Sequence, residues 1–378
     1  MDSSISIKEV VSEEELKSFV HFPFKLYKDH PFWVGPIIKE ELETLNKKKN
    51  PVFKNAISHY FLAYKEGKIV GRIAAIINWI EVKEIKKSKI RFGWFDVIDD
   101  MNVSKKLLEK VVSIGKKYSL NHIEGPVGFS NMDKAGLLVK GFEELNTMIT
   151  LYNYPYYSEH LKKLGYEKLA QWVEYEIKIS SFEESPEKVK RFSKLILERY
   201  SLKLLEFKSN NDILPYVDEM FDLLGKTYDK LQTFVPIQPY QIKYYKERYF
   251  RYIHPDFIKC VADKDNNLIA FLITMPSFST ALKKINGKLF PFGFLRILWA
   301  QKFIKKVSLY LIGVRPDYQN KAVTAILMNE IQKTFNKYDI KVVETNPELE
   351  ENTQIQTLWK NYEHRIHKKR ATFTKSIE

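Results

Sequence analysis

One corner restricts this chain more than any other: Leu309–Gln332, LYLIGVRPDYQNKAVTAILMNEIQ. From Val307 to Val314 the residues are largely β-branched or aromatic, in a run short enough for one strand. Arg315, Pro316 and Asp317 break it. From Asn320 the period changes, and Ala322, Ile326, Met328 and Ile331, with Leu327, make the i, i+4 stripe of a helix laid on a sheet. A strand that turns straight into a helix leaves the first helical N–H groups unpaired and aimed at the turn. Such an end attracts anions, phosphates above all.

The chain around that corner has 378 residues, enough for two domains with full cores. Hydrophobic residues at 44% and aromatics at 14% exclude disorder as the general state. The single cysteine, Cys260, excludes a disulfide framework and a thiolate metal cluster, and its apolar run, Phe257 to Ala262, reads as inert core. MDSSISIKEV lacks the apolar stretch of a signal peptide, and no 18-residue uncharged apolar run occurs, so a cytoplasmic location is expected. The net charge of +14 would suit nucleic acid, a membrane surface or an anionic cofactor. Lysine outnumbers arginine and asparagine and isoleucine are plentiful, a bias that weakens any inference from charge alone.

The first half alternates strands and helices. Ile5–Val11 reads as a strand, and Ser12 with Glu15 forms a capping box for the next helix. A helix at 38–50, strands at 59–64, 69–79 and 91–97, a helix at 103–118 and a strand at 122–127 follow. An irregular stretch, GFSNMDKAGLLVKGFEE, leads to YNYPYY, a short helix and a strand at 168–179. Ser180–Glu187 is a polar connector with a proline. Beyond it come helices at 187–200, 213–231 and 240–252, strands at 202–207, 257–262 and 268–275, and the corner itself. A strand at 341–344, a helix at 353–364 and a last strand at 371–377 complete it. Both halves thus share one order of elements without visible sequence repetition. This predicts an α/β (α+β) chain of two tandem domains, 1–180 and 187–378, each a mixed, mostly antiparallel sheet with helices on both faces.

The corner resembles the coenzyme-binding strand-loop-helix of the GNAT acyltransferase superfamily, whose loop runs Gln/Arg-x-x-Gly-x-Gly/Ala. Gln319-Asn320-Lys321-Ala322-Val323-Thr324 matches at the glutamine, while Ala322 and Thr324 stand where small glycines are usual. The element order is also that of a GNAT domain, and the superfamily has tandem members. Phrases such as HPFWVGP, RFGWFDVIDD, YNYPYY and ETNPELEEN are similar to a family of GNAT-like bacterial proteins to which bacterial ceramide synthases are related.

That resemblance implies transfer of an acyl group from acetyl-CoA or a longer acyl-CoA to a small-molecule or lipid-like amine, without a metal. Ile312, Val314, Arg315, Gln319, Asn320, Lys321, Ala322, Val323, Thr324 and Asn352 would hold the coenzyme. Glu344 and Asn346 would face the acceptor where two central strands splay. Glu348, Glu350 and Glu351 are weaker candidates for a base, readable as a solvated loop capping the next helix. The tyrosine that many relatives use as an acid falls at Trp359, which leaves Tyr362 as the nearest hydroxyl. The first half has DVIDDMNVS after its central strand; its acidic residues would repel a diphosphate, so it is not expected to hold the coenzyme. Its Asp133, with Trp94, Tyr152, Tyr154, Tyr156 and Tyr157 near in sequence, could hold an amine, or the aromatics could be packing.

Two further stretches carry alternatives. Residues 288–306, KLFPFGFLRILWAQKFIKK, place large apolar side chains beside cations, as in a membrane-lying helix, the lining of an acyl tunnel or a buried core helix. His364 and His367 lie in HRIHKKR, a run that reads as solvated charge, and no metal set forms. An acyltransferase fold kept only as a binding or scaffold module is the rival reading, and nucleic-acid binding is not expected because no known motif supports it.

Overall fold

Residues 4–130, 132–228, 234–249 and 253–377 are described in the structure, a computed structural model. The chain forms two units, residues 1–173, 278–299 and 367–378 in unit 1, and 174–277 with 300–366 in unit 2. The division falls within two strands, so neither unit is one continuous piece of sequence.

Unit 1 begins with β1 (Ser6–Glu9), α1 (Glu13–Leu26) and α2 (Ile38–Leu45). The capping box at Ser12 and Glu15 starts α1 as expected. The meander β2 (Ala56–Lys65), β3 (Lys68–Asn78) and β4 (Lys89–Val97) leads into α3 (Met101–Lys117), β5 (His122–Gly125), β6 (Leu137–Lys140), α4 (Tyr156–Lys163) and β7 (Glu167–Lys178). α3 lays Val103, Leu107, Leu108 and Val111 on the sheet, one face of a 3.6-residue period. β4 pairs antiparallel with β3 and parallel with β5.

Unit 2 holds α5 (Glu187–Arg199), β8 (Lys203–Leu205), α6 (Asn210–Ile213), α7 (Val217–Tyr228), α8 (Pro239–Tyr249), β9 (Ile258–Ala262) and β10 (Leu268–Pro276). The expected helix ends at 231 and 252 lie outside the described residues. α9 (Ser279–Ile285) and the first part of α10 (Gly293–Lys302) belong to unit 1. β11 (Lys306–Val314), α11 (Thr324–Lys337), β12 (Val342–Thr345), β13 (Glu348–Leu349) and α12 (Thr353–Trp359) follow, and β14 (His364–Ser376) returns to unit 1. β11 pairs antiparallel with β10 and parallel with β12, so each unit has a central parallel pair within an otherwise antiparallel order. This is the mixed sheet that the sequence predicts.

Three local expectations need correction. α12 ends at Trp359 and HRIHKKR is the first half of β14, with His367, Lys368 and Arg370 buried rather than solvated. A buried cation needs acceptors, and the Arg370 guanidinium donates to the Leu151 carbonyl. α11 begins at Thr324 rather than Asn320, because Pro316–Tyr318 first closes a 3₁₀ turn. The core-helix reading of 288–306 also fails, since no residue of α10 is buried.

Candidate active site

The parallel pair of unit 2 is short. Its register runs Lys306↔Val342, Val307↔Val343, Ser308↔Glu344 and Leu309↔Thr345, and there it stops. Asn346 holds the vertex, its backbone N–H donating to Leu309 at 3.0 Å and its Nδ2 to the Tyr310 carbonyl at 2.7 Å. Past this point β11 keeps β10 on one side and, among the described residues, has no strand on the other. The β10 register skips a residue at Tyr310, a bulge that bends and twists the strand at the vertex. The Arg315 N–H donates to Ile269, so alternation turns the N–H and C=O groups of Ile312 and Val314 away from β10. Their carbonyls are met there by side chains: Tyr228 Oη donates to Ile312, and Thr227 Oγ1 and Gln319 Nε2 donate to Val314. The two N–H groups face the same side, without a strand partner among the described residues.

The loop beyond β11 keeps the shape of a glycine loop without the glycines. Ala322 sits in the left-handed region at φ 55°, where a side chain costs roughly 1–2 kcal/mol. α11 has no side-chain cap, and the N–H groups of Ala322, Val323 and Thr324 have no hydrogen-bond partner among the described residues. Lys321 lies over the rings of Tyr318 and Tyr200, at 4.2 and 5.0 Å, and forms no ion pair among the described residues, although its charge helps hold the Asp317 carboxyl below its usual range. Arg315 is engaged otherwise, bound in a fork to Asp317 at 2.7 and 3.0 Å and 3.7 Å from Asp263. The donor set of uncapped amides and Lys321 fits a diphosphate. Asn320 is exposed in the turn, and Asn352 caps α12 by accepting from the Ile355 N–H.

The carboxylates sort themselves by environment. Glu344 is buried, 3.1 Å from the Lys306 ammonium, and accepts from Ser308 Oγ at 3.2 Å. Its charge is compensated within the strand register. Glu348, on β13, has no cation in contact among the described residues. The Trp359 indole N–H donates to both of its oxygens, at 3.0 and 3.1 Å, and burial pushes its carboxyl up to about 8 against the lowering from Trp359 and Thr345. Its charge is felt at the Tyr228 hydroxyl, itself raised to about 12, chiefly by burial. Glu348 therefore lies near the side of β11 to which the N–H and C=O of Ile312 point. Tyr362 falls in the turn after α12, its hydroxyl raised to about 12 by burial. Beside α7 an open groove of about 280 Å³ is lined by Phe221, Phe234, Pro236, Ile237 and Ile242 together with the charged Asp222 and Lys226.

Asp133 and the tyrosines belong to unit 1. Asp133 accepts from the Ser130 N–H at 2.9 Å and is raised to about 6, chiefly by burial. Tyr27, Tyr152, Tyr154, Tyr156 and Tyr157 stack on one another as packing within that unit. The sequence reading had named Glu348 but ranked it below Glu344, and had not singled out Tyr228. The polar run ETNPELEEN hid Glu348, because its burial comes from Trp359 and from the chain folding over it. Tyr228 gives no local signal, since its partner Ile312 is distant in sequence.

The chain matches no described protein family. It is 26% identical over 377 residues to Protein YghO of Escherichia coli, covering 98% of this chain and 95% of that protein. It is 24% identical over 359 residues to a bacterial ceramide synthase of Caulobacter vibrioides, covering 91% and 92%. Among solved structures, a tandem GNAT protein from the clavulanic acid biosynthesis pathway superposes over 99% of both chains with a TM-score of 0.57 at 9% identity. A likeness so complete at such low identity is one of fold, and the fold of this chain is that of a tandem GNAT-like protein.

Proposed function

We propose that the protein is an N-acyltransferase that takes its acyl group from acetyl-CoA or a longer acyl-CoA and gives it to a primary amine. The observation that carries this reading is Glu348. It is a carboxyl raised to about 8, with no cation in contact among the described residues, near the side of β11 that carries the N–H groups of Ile312 and Val314. A base with that pKa can take the proton of an ammonium acceptor near neutral pH. Ala322, Val323, Thr324 and Lys321 would hold the diphosphate, with Gln319 tying the loop to β11. The coenzyme's thioester would supply the activated acyl group. An N–H of Ile312 or Val314 would donate to the carbonyl oxygen as negative charge develops. Tyr228, protonated at neutral pH, would be the acid for the departing sulfur, a role for which Tyr362 is the alternative. Glu344, Asn346 and Asn352 would keep β12 and its loop in place, and Arg315 would set the loop through Asp317. The relative named bacterial ceramide synthase supports a long-chain amine as acceptor. The open groove beside α7 fits that chemistry, as does contact of 288–306 with the membrane from the cytoplasmic side. We further propose that the tandem halves run 1–180 and 187–378, with unit 1 binding no coenzyme.

Turnover of acyl-CoA with a panel of amines, read as free thiol and as acylated product, tests this. Product lost in Glu348→Gln, with coenzyme binding retained, is the expected result. Coenzyme binding without product on any amine would favour the other reading, a binding or scaffold module. Trp359 in place of the usual tyrosine is the observation that keeps that reading in view.

A further inference from the structure

Residues 288–303 present their apolar side chains to solvent. Phe290, Phe292, Leu295, Leu298, Trp299 and Phe303 are 72, 73, 51, 54, 59 and 50% exposed. Phe294, Leu295, Leu298 and Trp299, spaced i, i+1, i+4 and i+5, lie on the outward face of α10, and Lys302 continues it. The less exposed positions are Gly293, Ile297, Ala300 and Gln301, so the helix is more apolar outward than inward. That inverts the usual pattern of a surface helix. The segment is not a loose loop. The Gly287 carbonyl accepts from the Ile38 N–H at 3.0 Å, the Phe294 N–H donates to Leu289 at 2.8 Å, and the Lys283 ammonium donates to the Pro31 carbonyl.

Charge says what covers it. Between Asp265 and Asp317 there is no acidic residue, while Lys284, Lys288, Arg296, Lys302 and Lys305 are exposed in or beside the patch. A second copy pairing through the same face would set cations against cations. We propose that this face docks on the surface of a bilayer containing anionic lipids. The aromatic and leucine side chains enter the headgroup boundary, and the lysines and Arg296 reach the lipid phosphates. No helix among the described residues is long and apolar enough to cross a membrane, so the contact is one of lying on the surface. It deepens the lipid-acceptor reading, by setting the protein where long-chain amines reside, but its own support is the surface chemistry.

The test is flotation of the full-length protein with vesicles of phosphatidylcholine alone and of phosphatidylcholine mixed with phosphatidylglycerol. The wild type is expected to float with the mixed vesicles, and less so as salt rises. Phe292→Ser with Trp299→Ser should weaken binding about tenfold or more at every salt concentration, because the apolar insertion is lost. Arg296→Gln with Lys302→Gln should weaken it by about fivefold per charge on mixed vesicles and leave phosphatidylcholine unaffected. All four side chains are exposed, so unchanged melting temperatures are expected. A wild type that stays down with both vesicle types overturns the proposal. So does a wild-type dimer, seen by sedimentation velocity, that the apolar pair of substitutions returns to monomer while vesicles are ignored. Vesicle binding without turnover would count only against the reaction, and turnover without vesicle binding only against the docking.

Discussion

The two units carry the same corner in two conditions. In each, a central strand pairs in parallel for a few residues, bulges and separates from its neighbour, at Trp94 in unit 1 and Tyr310 in unit 2. Trp94 has a φ of 46°, so the bulge of unit 1 is held in the left-handed region. In unit 1 the protein's own groups then close the corner. Asp100 caps α3 through the Asn102 N–H and pairs with Lys65 at 2.9 Å. The Tyr157 hydroxyl takes the Val97 N–H, and Tyr156 donates to the Val97 carbonyl. In unit 2, among the described residues, side chains meet only the carbonyls of Ile312 and Val314, and the N–H groups of these two residues and of the α11 start have no partner. The same backbone scaffold is thus a packed core element in one unit and, among the described residues, a corner with unpaired amides in the other. The chemistry of a few side chains makes the difference.

The sharpest way to break this comparison is charge. Ala322→Glu would add a carboxylate at the helix start of unit 2 and should abolish coenzyme A binding, by a hundredfold or more on the order of two full ion-pair reversals, read by calorimetry. Retained binding would mean that the corner is not the anion site. Glu348→Gln should lower turnover by about 10²–10⁴-fold. In the wild type the rate should rise with pH up to about 8 as Glu348 loses its proton, and the variant should lose that limb. The same carboxyl predicts a stability effect of definite sign. Its native pKa lies above its unfolded value, so the neutral form stabilises the fold at low pH and that contribution is lost as pH rises towards about 8. The melting temperature of Glu348→Gln relative to wild type should therefore climb over that range.

Smaller effects sharpen the other side. Tyr157→Phe leaves the buried Val97 N–H and the Tyr27 hydroxyl short of a partner, and should destabilise the protein by about 1–3 kcal/mol without touching coenzyme affinity. Asp100→Ala removes the cap of α3 at a cost of about 1 kcal/mol, again with coenzyme binding unchanged. Denaturant melts and calorimetry on the same samples check both. If Asp100→Ala instead created a second coenzyme site, the cap alone would be what separates the two corners.

Much of the fold could be read locally because its signals are local. The capping box at Ser12 and Glu15, the α3 stripe and the alternating hairpins each depend on residues within a few positions of one another. HRIHKKR misleads because a buried cationic strand looks like a solvated one until its acceptor, the Leu151 carbonyl, is in place. The α10 segment misleads in the other direction, since apolar composition does not say which face meets solvent. At the candidate site, the acidic residues were visible, yet what distinguishes Glu344 from Glu348 is a lysine at 306 and an indole at 359. Those pairings exist only after β11, β13 and α12 assemble.

The exchange of chain between the units bears on how the protein is made. Ala371, Phe373 and Ile377 belong to the core of unit 1, where β14 pairs with β5. They leave the ribosome after every residue of unit 2. The amino-terminal unit must therefore wait, with its central sheet unfinished, while the later unit has all of its own sequence in hand, and nascent chains halted at residue 366 should still expose the β5 edge.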